Sequence, residues 1–455
     1  MRSIAGQLED MAALATIVIP QSMAYALLAG LPPVYGLYTS TVPVLVYAIF
    51  GSCRHMSIGT FALTSMLLGQ AVTHYMSTHS HADSSIKADA YAHAALRLSL
   101  LTGLFQLTMG LLRVGRVTSL LMPDALISGF TTGAAFYIAT SQVPNLFGFS
   151  VTRSNGPGGL LFTWMSILLN LGRTHLPTLL LGVSAMVAIL LLGRLERWRL
   201  KRRTTIARAG LHEDTPLLDT PATMRSTGRF MHIPVPDVLL VIAGAILVTS
   251  LLHLDQRYAI AVVGDIPSGL PPFLVPHGLT NWSEIQPLLW PAFMIACIGY
   301  VLTISIAKTF STKFAYSVSE DRELIAIGLS SICGAFFSCY LSCGSLTRSV
   351  VLSGANPKTK VAGAISAVTV LLTLGLFTRL FHSLPLTVLA AVIVLACRSL
   401  ISQLAAARRL WTHDRSAWRI WTATFLAVLF LDVQLGAAVG IGAVLLERGI
   451  SRLRG

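Results

Sequence analysis

Apolar runs long enough to cross a bilayer alternate along this chain with short polar connections, and two stretches break the pattern. Spanning roughly 30 Å of hydrocarbon takes about 20 helical residues. Leu341 to Gly354, LSCGSLTRSVVLSG, is shorter, opens with small and hydroxyl residues, and carries one arginine, Arg348, at its mouth. It predicts a half-helix approached from an irregular strand-like run at Cys339 to Cys343. Ser57 to Gly69, SIGTFALTSMLLG, is a second short segment of the same kind in the first half of the chain. Non-helical backbone survives at membrane depth only where it is buried in protein or lines a wet cavity. A helix starting there presents unpaired N–H groups worth about half a positive charge. Paired short segments in corresponding positions of two halves point to an inverted-repeat transporter with its site at the repeat interface. Ser345, Thr347 and Arg348 would then surround an anion. A lone arginine near a helix end otherwise reads as an interfacial side chain; the second segment favours the site.

In order, helix 1 is expected from Met11 to Gly30, helix 2 from Pro33 to about Ile49 or Gly51, and the first half-helix third. A polar loop from Tyr75 to His93 precedes helix 4, which ends near Leu112. Helix 5 covers about Met122 to Phe147, helix 6 Leu176 to Leu195, and helix 7 Pro234 to Leu252. Gly159 to Leu171 is read as a surface or re-entrant piece, since a full span there would reverse the side on which the basic stretch Arg194 to Arg208 falls. The second half repeats the plan with helix 8 at Leu288 to Ala307, helix 9 at Leu324 to Phe337, the second half-helix, and helices 11 to 14 at Val361 to Leu380, Leu384 to Leu400, Ile420 to Leu431 and Val433 to Leu446. The expected fold is therefore an all-α polytopic membrane protein of fourteen segments, two inverted seven-helix repeats whose half-helices meet at the midplane. Its parts are residues 1–253 (first repeat), 254–286 (extracellular linker), 287–450 (second repeat) and 451–455 (cytosolic tail).

Composition agrees. Hydrophobic residues make up 54% and charged ones 11%, with a mean hydropathy of +0.70, more than a soluble domain buries. The net charge of +14 does not gather on a soluble face as a nucleic-acid surface would. It falls in alternate connections: Arg54, Arg113, Arg116, the Arg194 to Arg208 loop, and later Lys308, Lys313, Lys358, Lys360, Arg398, Arg408, Arg409, Arg415, Arg419, Arg448, Arg452 and Arg454. The positive-inside rule places these, and both termini, in the cytoplasm of a plasma-membrane protein. The basic loop sets topology, and its extension HEDTPLLDTPATMRSTG is polar enough to lack structure. Within it, Glu213 to Leu218 resembles a dileucine sorting signal, a pattern common by chance. On the opposite side Asn281-Trp282-Ser283 is a glycosylation sequon.

Six cysteines lie in or beside apolar segments, which argues against a disulfide framework. His74, His79, His81 and His93 are too irregularly spaced to argue for a metal. No nucleophile and base pair, phosphate loop or carboxylate dyad supports an enzyme, and no cofactor is expected. Helices 1, 3, 8 and 10 carry no central carboxylate, so neither a proton relay nor the acidic residue of a nucleobase permease is in place. Asp124 and Asp432 read as helix-end residues.

The run IPQSMAYALLAGLPPVYGLYTSTVPVLVYAIFGSCRHMSIGTFAL at Ile19 to Leu63 resembles the sulfate permease (SulP) family of anion transporters, the family that includes prestin. LISGFTTGAAFYIATSQVPNLFG at Leu126 to Gly148, TISIAKTF at Thr303 to Phe310, ELIAIGLSSICGAF at Glu323 to Phe336, and SLTRS with NPKTKVAG extend the resemblance over nearly the whole chain. It implies a pocket lined by Gln21 and Tyr25, which share a helix face, with Phe61, Thr347 and Arg348. Thr60, Ser345 and Leu346 at the two half-helix starts complete the candidate anion set. It also implies a core of helices 1 to 4 and 8 to 11 moving against a gate of helices 5 to 7 and 12 to 14. Exchange of chloride, bicarbonate, sulfate or oxalate is the expected activity, with a channel or prestin-like voltage motor as the alternative; the bilayer, and a second copy in a homodimer, are the expected partners. Most family members continue into a cytosolic STAS domain. This chain stops at Gly455, so it reads as a transmembrane-only member or an incomplete chain.

Overall fold

The structure is a computed structural model that describes residues 17–79, 84–151, 158–209, 237–354, 357 and 359–454. Residues 212–228 with their dileucine-like piece, and His81, lie outside the described residues. The first half comprises α1 (Ile17–Leu28), α2 (Pro33–Thr39), α3 (Val42–Phe50), β1 (Ile58–Gly59), α4 (Ala62–His79), α5 (Ser84–Leu111), α6 (Gly115–Leu121), α7 (Asp124–Phe147), α8 (Gly159–Leu169), α9 (Leu176–Ala209) and α10 (Asp237–Leu252). After the short α11 (Leu254–Tyr258) come α12 (Trp282–Lys313), α13 (Glu320–Phe336), β2 (Cys343–Gly344), α14 (Leu346–Gly354), α15 (Val361–Leu376), α16 (Leu386–Ile401), α17 (Leu404–His413), α18 (Arg415–Phe430) and α19 (Val433–Arg454).

Among the described residues, Pro33–Phe50, Ala88–Leu111, Leu176–Leu195 and Trp282–Lys313 are long and apolar enough to cross a membrane. On α9 the exposed apolar side chains Leu176, Leu180, Val183, Val187 and Leu191 recur every three or four residues. That stripe on the outside of a folded helix suits hydrocarbon rather than water. The chain is an all-α polytopic membrane protein. The basic stretch expected as a loop instead prolongs α9 to Ala209, and the expected polar loop after Tyr75 is taken up by α4 and α5. Arg, Lys and Glu are good helix formers, so a helix leaving the apolar layer has no reason to stop at its edge. The Gly159 piece is a helix of 11 residues, too short to span, and Trp164 Nε1 pins it to Thr140 Oγ1 of α7 at 3.1 Å. Helices α6 and α17 were not foreseen.

Helix 2 differs most usefully from expectation. It breaks into α2 and α3 at Ser40 and Thr41, just before Pro43, because proline offers no N–H to the Thr39 carbonyl one turn back. The break frees Thr39 Oγ1 to accept the Tyr340 N–H at 2.9 Å. Beyond α3, the buried Glu323 of α13 gathers the turn that leads to β1. Its Oε1 accepts from Ser52 N at 2.7 Å, Ser52 Oγ at 2.6 Å and Cys53 N at 3.0 Å, and its Oε2 from Tyr47 Oη at 2.8 Å. Four donors fill this carboxylate's acceptor sites, which makes it an anchor for the turn. Lys360 Nζ donates to the Ile49 and Gly51 carbonyls at 2.9 and 2.7 Å, capping the end of α3; burial, then nearby Arg322, lowers its pKa. At the start of α13, Ser319 accepts from Arg322 N at 3.4 Å, with Glu320, Asp321 and Glu323 in the first turn, where the helix dipole favours acids.

Candidate anion-binding site

The two short segments meet. β1 and β2 pair antiparallel with Ile58 opposite Gly344 and Gly59 opposite Cys343, so each supplies the backbone partner that a strand inside a helical bundle otherwise lacks. Ser345 N donates to Ser57 O at 3.1 Å, Ser57 N to Ser349 Oγ at 3.0 Å, and Gly344 N to Thr303 Oγ1 of α12 at 3.0 Å. From this two-stranded knot α4 and α14 lead away, so the start of each lies beside the other.

Arg348 is in the first turn of α14 but buried. It is 0% exposed, and its Nε, Nη1 and Nη2 are buried without a hydrogen-bond partner among the described residues. The guanidinium lies under Gly59, whose φ is +142°; a Cβ there would come within 3.2 Å of Nη2 and 3.6 Å of Ser40 Oγ. Glycine is required at this crossing both for its backbone angle and for room. Tyr25, Tyr340 and Cys343 are near enough to feel the Arg348 charge. Tyr340 Oη meets Ser65 Oγ at 3.1 Å and lies beside Thr60, which is 0% exposed. Gln21, one turn before Tyr25 on α1, is buried with its Oε1 unpartnered among the described residues, as is Ser40 Oγ.

A cavity of about 730 Å³ opens against the same half-helix starts. It is lined by Phe61 and Leu346, by seven residues of α12 between Leu302 and Lys313, by Asp124, Ile127, Ser128 and Thr131 of α7, and by Leu400 of α16 and Gln403. Of the candidate residues only Phe61 and Leu346 reach it. Gln21, Tyr25, Thr60 and Arg348 are buried behind them with Ser345, whereas Thr347 is exposed and lines no part of the cavity. Gly59, Ser40 and Tyr340 went unnoticed in the sequence, although the SIGT and YTST wording held the first two. The fourteen residues from Thr60 to Thr73 carry no acid or base, so the one fixed charge here comes from α14.

The description of the Sulfate permease family matches residues 11–424. The chain belongs to that family. It is 34% identical over 440 residues to human Solute carrier family 26 member 6, covering 96% of this chain and 54% of that protein. It is 32% identical over 438 residues to prestin of Danio rerio, covering 94% and 55%. The chain thus spans a little over half the length of these curated relatives. Among solved structures, the murine Solute Carrier 26 family member A9 anion transporter in the inward-facing state superposes with a TM-score of 0.84 at 27% identity, over 99% of this chain and 69% of that one. The family is one of membrane permeases, not enzymes.

Proposed function

We propose that this chain is the transport unit of a secondary anion transporter, exchanging chloride, bicarbonate, sulfate or oxalate by alternating access. The observation that carries the reading is Arg348, a buried cation with three nitrogens lacking a partner among the described residues, set where the two helix starts meet. A buried charge left unpaired costs several kcal/mol, and a transported anion is the partner that would repay it. Gln21, Tyr25, Thr60, Phe61, Ser345 and Leu346 complete the pocket in this reading, with Thr347 at its edge. The fourteen-segment count, the two inverted repeats with their bounds, cytoplasmic termini, a plasma-membrane location, a homodimer and a glycan on Asn281 belong to the same proposal. Asn281 is exposed at the start of α12, which suits a glycan.

Tracer uptake of chloride, sulfate and oxalate into proteoliposomes, with and without trans anion, tests it. Acceleration by trans anion supports exchange. Current without such acceleration supports a channel instead, and no anion flux of either kind overturns the reading.

A further inference from the structure

Trp421 Nε1 of α18 donates to Ser128 Oγ of α7 at 3.2 Å, and Ser128 Oγ donates to Gln403 Oε1 at 3.1 Å. An indole N–H can only donate. The Ser128 oxygen is therefore receiving, and its own hydrogen needs an acceptor, which Gln403 Oε1 supplies. Thr131 Oγ1 lies 3.3 Å from the same oxygen, although the Ile127 carbonyl, at 2.8 Å, is nearer for its hydrogen. The orientation of a glutamine amide is settled by its hydrogen bonds rather than its shape. Turning this one over would give Ser128 a second donor and leave its hydroxyl hydrogen without an acceptor. With Oε1 held by the α7 hydroxyl, the two Nε2 hydrogens have no protein acceptor among the described residues, and Gln403 lines the cavity.

Resting on the transport reading above, we propose that Gln403 is an anion contact on the wall formed by α7 and the end of α16, donating Nε2–H to a small inorganic anion, a halide or an oxyanion. This site shares the cavity with Phe61 and Leu346 and is separate from Arg348, which does not line it. The other charged groups on the cavity explain why a neutral donor matters. Lys308 is paired with Glu320 at 2.5 Å, Lys313 sits over the Phe314 ring, and Asp124, on the wall of Gln403, repels anions. An oriented amide attracts an anion to this wall without another fixed charge, and it can release the anion as readily.

The test uses the full chain in proteoliposomes, with labelled chloride and sulfate uptake and anion protection of the purified protein against thermal unfolding. Gln403→Glu keeps the shape and exchanges the donor for a repelling carboxylate; Gln403→Leu removes the amide. Both should raise the half-saturating anion concentration by roughly tenfold; Gln403→Glu, which keeps an acceptor for the Ser128 hydroxyl, should leave the thermal midpoint without anion near that of the unmutated protein, whereas Gln403→Leu strands that hydroxyl and should lower the midpoint as well. Ser128→Ala, which unlocks the amide, should give a smaller rise of about threefold. A purely structural role would instead lower the thermal midpoint and leave half-saturation unmoved. Wild-type half-saturation in both Gln403 variants beside an active parent overturns the assignment alone. A parent protein that neither moves nor is stabilised by either anion overturns the transport reading as well.

Discussion

The two half-helices begin alike and are held and equipped differently. Each starts from a two-residue strand, and the strands pair with one another. The turn leading to the first is tied by a charged anchor, since Glu323 accepts from Ser52, Cys53 and Tyr47. The run leading to the second is tied by neutral hydroxyls, Thr39 accepting from Tyr340 N and Thr303 from Gly344 N. α4 runs for 18 residues, whereas α14 has 9 and carries Arg348. The first segment contributes room, at Gly59; the second contributes charge. A repeated backbone plan therefore need not repeat its chemistry. The guanidinium of one half is accommodated by a missing side chain in the other, so neither half would make this site alone.

The largest effect should come from the anchors. Glu323→Ala strands four donors, two of them backbone N–H groups, and hydrogen bonds to a charged group are worth about 1.5–3 kcal/mol each. Folded protein recovered by size exclusion should fall sharply. Thr303→Val strands one backbone donor, Gly344 N, at about 1–3 kcal/mol, and gives up a long contact with Cys343 Sγ, so it should lower the thermal midpoint by much less. Equal losses from the two variants would show that the difference between charged and neutral anchoring has no energetic meaning.

Next in size is the charge itself. Arg348→Ala should reach the membrane in normal amount, because the buried guanidinium has no hydrogen bond to lose among the described residues. The half-saturating anion concentration should rise by roughly two orders of magnitude, the loss of one charged partner worth a few kcal/mol. Arg348→Lys should recover part of this for chloride. Gly59→Ala attacks the same contact from the other half: a φ of +142° and a Cβ 3.2 Å from Nη2 impose about 1–3 kcal/mol of strain. It should raise half-saturation by roughly tenfold in tracer uptake. If Gly59→Ala were silent while Arg348→Ala was not, the division of room and charge between the halves would be wrong.

The features legible in the sequence are those written in local composition. Apolar length and clustered basic residues gave a membrane-spanning class, and short hydroxyl-led segments gave the half-helix starts, with Arg348 beside them. What escaped depended on partners far apart in sequence. Nothing local says that Tyr340 N will find Thr39, so the break at Ser40 and Thr41 was missed despite Pro43. Glu323 looked like an ordinary acid in a helix's first turn, since its four donors lie some 270 residues earlier. Charge does not reveal the helical course of α9 to Ala209, because Arg, Lys and Glu are good helix formers as well as loop residues. Burial of Arg348 also follows from the tertiary meeting of the halves and not from its neighbours in SLTRS.

The smallest effects separate the two residues at the rims of the half-helices, Phe61 and Thr347. By resemblance both belonged to the pocket, but their surroundings differ. Phe61 lines the same cavity as Ser128 and Gln403, and removing a ring there widens that cavity while leaving the β1–β2 pairing in place. Phe61→Ala should therefore alter the ratio of chloride to sulfate uptake by a few-fold, with little change in folded yield. Thr347 is exposed, makes no contact with the cavity and follows directly on Leu346, which is 46% exposed on the cavity wall. Its hydroxyl has no described hydrogen bond to lose, and an exposed substitution without such a partner usually changes stability by less than about 0.5 kcal/mol. Thr347→Ala should leave both half-saturation and the chloride to sulfate ratio near those of the unmutated protein in the same tracer assay. A selectivity change in Thr347→Ala as large as that in Phe61→Ala would mean that α14 turns its exposed face to the anion during transport, and the site would then have to include that face.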